Sequence, residues 1–264
     1  AAQPGVRYSL VHPAAYLANN VDAFGNVLEG CRHARVAHLV YASSSSVYGA
    51  NHVLPFSEDQ RTDTPVSLYA ATKKANEMMA YSYAYLYALP ATGLRFFTVY
   101  GPWGRPDMAA MIFTRAILAG APIEVFNRGD MHRDFTYVDD IVEGVARVLA
   151  RPPAPDAATQ APHAIYNIGN NRSVPLAEFI ATLERLLARR AIRVDRPMQP
   201  GDVKDTYASI DRLAALPGFA PRTGLAEGLA AFVAWYRDYY GAGGASSTAG
   251  STPSGATTST RAMT

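Results

Sequence analysis

Val36-Ala-His-Leu-Val-Tyr-Ala42 runs directly into Ser43-Ser44-Ser45-Ser46-Val47-Tyr48-Gly49, and Tyr69-Ala-Ala-Thr-Lys73 follows. The first segment is apolar and partly β-branched, the composition of a short buried strand. It ends in a run of hydroxyls. Pro65 then leads into a long helical pattern over 69–89. In a parallel sheet, ligands bind at the carboxyl ends of strands. A strand that ends in hydrogen-bonding groups and is followed by a helix therefore marks both a fold and the place of a site.

The same alternation continues on both sides. The stretch 19–33 reads as a helix, with Val21, Phe24, Leu28 and Cys31 at helical spacing. The stretch 92–100 reads as a strand, and 138–150 as a helix with Asp139 and Asp140 at its positive end. A short strand is expected over 165–168, and amphipathic helices over 176–190 and 225–240. Strands alternating with helices place the chain in the α/β class, with a parallel sheet covered on both faces. The Pro/Ala-rich stretch 152–162 reads as a surface loop. From Gly241 to Thr264 the chain is Gly, Ala, Ser and Thr with almost no large apolar residue, so a disordered tail is expected there.

Composition narrows the function classes. With 264 residues, 49% of them hydrophobic, the chain can bury a sizeable core. A net charge of +2 gives no footprint for nucleic acid. A single cysteine, Cys31, rules out a disulfide framework within the chain and fits a reducing, cytoplasmic setting. No apolar run is long enough to span a membrane. The six histidines show no metal-ligand spacing, and no metal is expected.

Tyr69 and Lys73 stand four residues apart, on one face of a helix. A lysine cation near a tyrosine stabilises phenolate and lowers the tyrosine pKa, which makes it a base near neutral pH. Such a pair arises often by chance on a solvated helix face. Its conjunction with a strand and a hydroxyl cluster does not.

These motifs carry a resemblance. Ala42-Ser-Ser-Ser-Ser-Val-Tyr-Gly49, Leu68-Tyr-Ala-Ala-Thr-Lys73, Leu94-Arg-Phe-Phe-Thr-Val-Tyr-Gly-Pro-Trp-Gly-Arg105, Arg133-Asp-Phe-Thr-Tyr-Val-Asp-Asp-Ile141 and Met198-Gln-Pro-Gly-Asp-Val203 are similar, in order and spacing, to the motifs of UDP-glucuronate 4-epimerases. These are extended short-chain dehydrogenases/reductases. The resemblance runs from about Ala1 to Tyr240. It implies a Rossmann-type parallel sheet with a smaller α/β substrate-binding lobe, NAD as cofactor, and a UDP-sugar as substrate. The implied reaction is epimerisation at C4 through a 4-keto sugar. Ser44 would hydrogen-bond the sugar O4, Tyr69 would take its proton, and Lys73 would hold the nicotinamide ribose. Asn19 and Phe97 would also contact the cofactor. Ser45, Ser46, Thr98 and Arg105 would line the hexuronate, Arg105 offering its planar fork to the carboxylate. Val125, Phe126 and Asn127 would lie along the uracil, Arg133 on the diphosphate or ribose, and Asp202 on the ribose. Gln199 departs from galactose-type relatives, which often carry arginine there. Related dehydratases carry an Asp-Glu pair at the positions of Ser45 and Ser46, and UDP-xylose synthases a Glu at the second. Without those acids, epimerisation is the better reading.

The resemblance also implies a homodimer through the helices at 19–33 and 69–89. It divides the chain into a partial dinucleotide-binding domain over 1–106, completed by 135–170, and a substrate lobe over 107–134 and 171–240. The family's opening strand and Gly-x-x-Gly-x-x-Gly turn, which cradle the pyrophosphate, have no counterpart here. The expectation is an N-terminally truncated sheet that binds NAD weakly or not at all. Two alternatives stay open: another UDP-sugar 4-epimerase, or a catalytically incompetent fragment.

Overall fold

The structure, a computed structural model, describes residues 2–199, 201, 203–216 and 219–241. The expected tail beyond 241 and the position of Asp202 lie outside the described residues. The chain opens with α1 (Val6–Val11) and α2 (Pro13–Tyr16), a π-helical turn (Leu17–Asp22) and α3 (Ala23–His33). β1 (Leu39–Ser44), a 3-10 turn (Ser45–Tyr48), α4 (Leu68–Tyr87) and β2 (Ala91–Phe96) follow. Then come β3 (Thr98–Tyr100), α5 (Ala109–Ala119), β4 (Pro122–Phe126), β5 (His132–Arg133) and β6 (Phe135–Tyr137). The remainder is α6 (Val138–Leu149), β7 (His163–Ile168), β8 (Val174–Pro175), α7 (Leu176–Leu187), β9 (Ile192–Arg196), α8 (Asp211–Ala214) and α9 (Leu225–Tyr239).

β1, β2 and β7 form a parallel sheet in that order, in register from Leu39–Ala91–His163 to Ser44–Phe96–Ile168. Helices cover both of its faces. On one, Leu28 of α3 and Ala80 of α4 pack on Tyr41, Ala91 and Ile165. On the other, Ile141 and Val148 of α6 and Leu213 of α8 pack on Leu94 and Ile168. The fold is thus α/β with a parallel sheet, as its alternating pattern requires. No helix among the described residues is long and apolar enough to cross a membrane.

Two strands differ from their sequence reading. The first begins at Leu39 rather than Val36 and carries Ser43 and Ser44 inside it. The second is two strands. β2 ends at Phe96, the Phe97 N–H donates to the Ile168 carbonyl, and the Thr98 N–H donates to the Asp134 carbonyl. β3 then pairs with β6 instead of the main sheet. A continuous apolar run therefore hides a hand-off between two sheets. The pattern also missed β4 and β9, which pair in parallel beside a core built from α5, α7 and α9.

Gly93 makes close packing of the main sheet possible. The Tyr41 ring crosses over it to hydrogen-bond His163 Nε2 at 3.0 Å. A Cβ at 93 would come within 2.6 Å of both Tyr41 and Ile165. Replacement of Gly93 by Val should overpack this face and cost about 1–3 kcal/mol. That corresponds to a fall in melting temperature of roughly 3–10 °C, readable by circular dichroism.

Candidate active site

The carboxyl end of β1 meets the amino end of α4. Ser67 caps α4, its side chain accepting from the Ala70 N–H, so the helix starts at Leu68 and Tyr69 stands in its first turn. Ser44 closes β1 and caps the 3-10 turn, accepting from the Ser46 N–H at 3.1 Å. The Ser44 hydroxyl donates to Ser46 Oγ at 3.1 Å and lies near enough to the Tyr69 phenol to pull its pKa down. Tyr16, fully buried, sets its ring edge-on to Tyr69 with centroids 6.1 Å apart.

Lys73 lies one turn further along α4, 6% exposed, and donates to the Ala42 carbonyl of β1 at 2.9 Å. Burial pulls its pKa below the ordinary lysine value. The expected lowering of the tyrosine by this lysine is not what the geometry produces. Burial pushes the Tyr69 phenol above its ordinary value, against the nearby Ser44 hydroxyl and the charge of Arg105, which both pull it down. Lys73 is drawn to the strand carbonyl, and Arg105 is the cation that acts on the phenol.

Ser45, Ser46, Thr98 and Arg133 line one cavity of about 160 Å³, together with Tyr48, Ser67 and Thr206. It adjoins a cavity of about 600 Å³, the two sharing Gly49, Val66, Gly201 and Val203. No carboxylate lines the smaller cavity among the described residues. Arg133 donates to the carbonyls of His132 and Lys204 at 2.9 and 2.7 Å, which fixes its guanidinium at the wall. Thr206 was missed by sequence reasoning. Its buried hydroxyl has no hydrogen-bond partner among the described residues, a signal that only the fold displays.

Other expected contacts lie apart from this cavity. Arg105 is held by both oxygens of Asp107, at 3.0 and 2.8 Å, and lies against Gly5. Val125 is 4% exposed and packs into the core beside α5, α7 and α9. Phe126 carries the Arg7 guanidinium over its ring at 4.6 Å. Asn127 donates to the Asp130 carbonyl within its own turn. Phe97 is buried beside Tyr48. Asn19 is exposed and donates only to the Ala15 carbonyl among the described residues. Its neighbour Asn20 points inward instead. It binds both backbone groups of Gln3 and the Thr72 hydroxyl, and its carbonyl accepts from Asn76. The π-helical turn rotates the pair by one position, a shift that helical spacing does not register.

The residues fit one end of a dinucleotide. The Lys73 ammonium has three donors and one carbonyl partner among the described residues, so two donors are left for a vicinal diol such as a ribose. Among the described residues no glycine-rich strand-to-helix turn offers a diphosphate cradle.

Comparison with known proteins agrees with this geometry. The family model for the NAD dependent epimerase/dehydratase family matches residues 1–169. A probable UDP-glucuronate 4-epimerase of Rhizobium meliloti is 49% identical over 91% of this chain and 74% of its own length. The UDP-glucuronic acid 4-epimerase of Bacillus cereus, solved with UDP-glucuronic acid and NAD, is 32% identical with a TM-score of 0.82. That likeness covers 90% of this chain and 74% of the other. MoeE5, solved with the same two ligands, is 38% identical with a TM-score of 0.81, over 90% of this chain and 77% of its own. The chain belongs to the NAD dependent epimerase/dehydratase family.

The raised Tyr69 pKa has a readable consequence. Between the ordinary tyrosine value and its own higher one, the native protein keeps a proton that the unfolded chain loses, so stability falls as pH rises through that window. Ultraviolet difference titration against a Tyr69→Phe protein should show the phenol ionising above the ordinary tyrosine value of about 10. Ser44→Ala, which removes a hydroxyl that pulls the phenol's pKa down, should move it further up.

Proposed function

We propose that this family member is a UDP-hexuronate 4-epimerase that interconverts UDP-glucuronate and UDP-galacturonate. The observation that carries the reading is the Ser44 hydroxyl beside the Tyr69 phenol, next in sequence to Ser45 and Ser46 of a cavity with no lining carboxylate among the described residues, with the charge of Arg105 acting on the same phenol. Hydroxyls can hold a sugar, whereas eliminating water or carbon dioxide needs an acid and a base where Ser45 and Ser46 stand.

Tyr69 is the base that takes the proton from the sugar 4-hydroxyl and later returns it. Ser44 holds O4 and steadies the phenolate. NAD, when bound, supplies the oxidation and reduction at C4. Lys73 holds its nicotinamide ribose, and Phe97 adjoins the ring. Thr98 and Arg105 receive the carboxylate of the uronate. Arg133, fixed at the wall, faces the diphosphate. Asp202, Val125, Phe126 and Asn127 complete the nucleotide side, with Arg7 released from Phe126 when uracil binds. The parallel sheet with its 1–106 and 135–170 segments carries the cofactor, and 107–134 with 171–240 carries the substrate.

Incubated with NAD and UDP-glucuronate, the protein should yield UDP-galacturonate, resolved by anion-exchange chromatography, and should leave UDP-glucose largely unchanged. Preferential turnover of UDP-glucose would favour a galactose-type 4-epimerase. Titration calorimetry with NAD on the same preparation separates a failed cofactor site from a failed substrate assignment. Tyr69→Phe should lower kcat by about 10²–10⁴, the usual worth of a general base. Arg105→Met should raise KM for UDP-glucuronate by roughly 10–100-fold, the worth of a charged hydrogen-bonded pair.

The helices that the family resemblance assigns to a dimer carry exposed apolar side chains: Val27 on α3, and Met78, Tyr85 and Leu86 on α4. We place a homodimer interface on this face and the enzyme in the cytoplasm. Light scattering coupled to size exclusion should give twice the chain mass, and Met78→Glu with Leu86→Glu should give a monomer.

A further inference from the structure

One row of the main sheet is polar from side to side. Ser43 of β1, Arg95 of β2 and Asn167 of β7 stand in register, one residue short of the edge where Ser44 lies. All three are 3% exposed or less. Ser43 donates to Glu77 of α4 at 2.6 Å. Arg95 grips the same carboxylate with its fork, Nε to Oε1 at 2.8 Å and Nη2 to Oε2 at 2.9 Å. Its Nη1 donates to the Tyr48 hydroxyl at 3.1 Å, and that hydroxyl donates to Asn167 Oδ1 at 2.6 Å. Asn167 Nδ2 donates on to the carbonyls of Phe56 and Ser209.

Stability alone does not account for such a row. A buried ion pair loses hydration at both ends, and well-packed apolar side chains of similar volume often serve a core as well or better. What the pair provides is direction. An arginine fork on a carboxylate admits one geometry, whereas apolar contacts tolerate sliding. Glu77 lies one helical turn beyond Lys73 and two beyond Tyr69, so its position along β1 and β2 fixes theirs. A slip of one residue moves a helix by about 1.5 Å, enough to break a hydrogen bond at its start. Ser44 is held from the other side. Its predecessor Ser43 is tied to Glu77, and Tyr48, at the end of the turn that follows it, is tied to Arg95 and Asn167.

We propose that Glu77 and Arg95 are positioning residues that set where Tyr69 and Lys73 stand against Ser44. The pair touches neither sugar nor cofactor and acts through α4 and the end of β1. Only the kinetic arm of its test rests on the epimerase reading.

The test replaces both charges together, Glu77→Leu with Arg95→Met, so that no buried charge is stranded. The expected protein folds with a melting temperature within a few degrees of the parent. Its crystal structure shows the Ser44 Oγ–Tyr69 Oη separation lengthened against the parent's by about 1.5 Å, the rise of one helical residue. Its kcat on UDP-glucuronate falls at least tenfold while KM stays within threefold, a split that general loosening of the fold would not give. If the double variant does not fold, Glu77→Gln, which keeps the size and one acceptor oxygen, carries the same readouts. A folded variant that keeps the parent's Ser44 Oγ–Tyr69 Oη separation overturns the proposal, whatever its rate. If the parent itself does not turn over UDP-glucuronate, the epimerase reading falls, and the Ser44–Tyr69 separation still decides this one.

Discussion

A buried carboxylate accepting from several directions is the constraint on which the sheet end depends. Burial alone would raise the Glu77 pKa, but the hydrogen bonds and charge of Arg95 outweigh it and hold the carboxyl below its ordinary value. The group is therefore charged, and a charged group at 3% exposure must keep its partners. Ser43, Lys74 and Arg95 meet that demand from β1, α4 and β2. Helix and strands cannot shift independently without stranding it. The phenol that joins the row is constrained as well: burial pushes Tyr48 up to about 12, so it stays protonated and remains a donor to Asn167.

A second buried carboxylate uses the same device in a different form. Asp134 is fully buried between β5 and β6. Its carboxylate accepts from the backbone N–H groups of Asn170 and Ala208 and from the Thr136 hydroxyl. Its carbonyl also receives the Thr98 N–H at the hand-off from β2 to β3. One residue thus joins the end of β7, the segment beside the cavity and the strand that leaves the main sheet. No cation appears among its main partners, and burial raises its pKa despite those hydrogen bonds. Glu77 is held by charge and Asp134 by backbone dipoles.

What was legible in the sequence follows from what each feature depends on. The strand, the hydroxyl run and the Tyr69–Lys73 face were legible because strand composition and helical spacing are local. The break at Phe97 was not, since it turns on where two N–H groups find carbonyls in distant strands. β9 was hidden because it is short and largely exposed, with only Ile192 and Val194 on its apolar face. Glu77 and Arg95 were invisible for the opposite reason. A glutamate four residues after a lysine reads as a solvated helix face, and only its partners reveal that it is buried. Asn19 and Asn20 differ by one position, which the π-helical turn decides.

The remaining tension lies between Tyr69 and its surroundings. A base that discriminates its substrate is sheltered from water, and shelter opposes its ionisation. Ser44 and Arg105 pull against that penalty. Arg105, however, is already occupied by Asp107, in a pair whose side chains are 40% and 65% exposed. Exposed pairs of this kind are worth little, so the fork is exchangeable. In the proposed reaction the uronate carboxylate takes the place of Asp107 on Arg105. One carboxylate leaves as another arrives, and the charge next to the phenol is conserved. A neutral hexose would instead face an arginine still committed to Asp107, gaining neither the fork nor the orientation it imposes. Selectivity for an acidic sugar then needs no dedicated cation held in reserve, only an exposed ion pair that a better-placed carboxylate can displace.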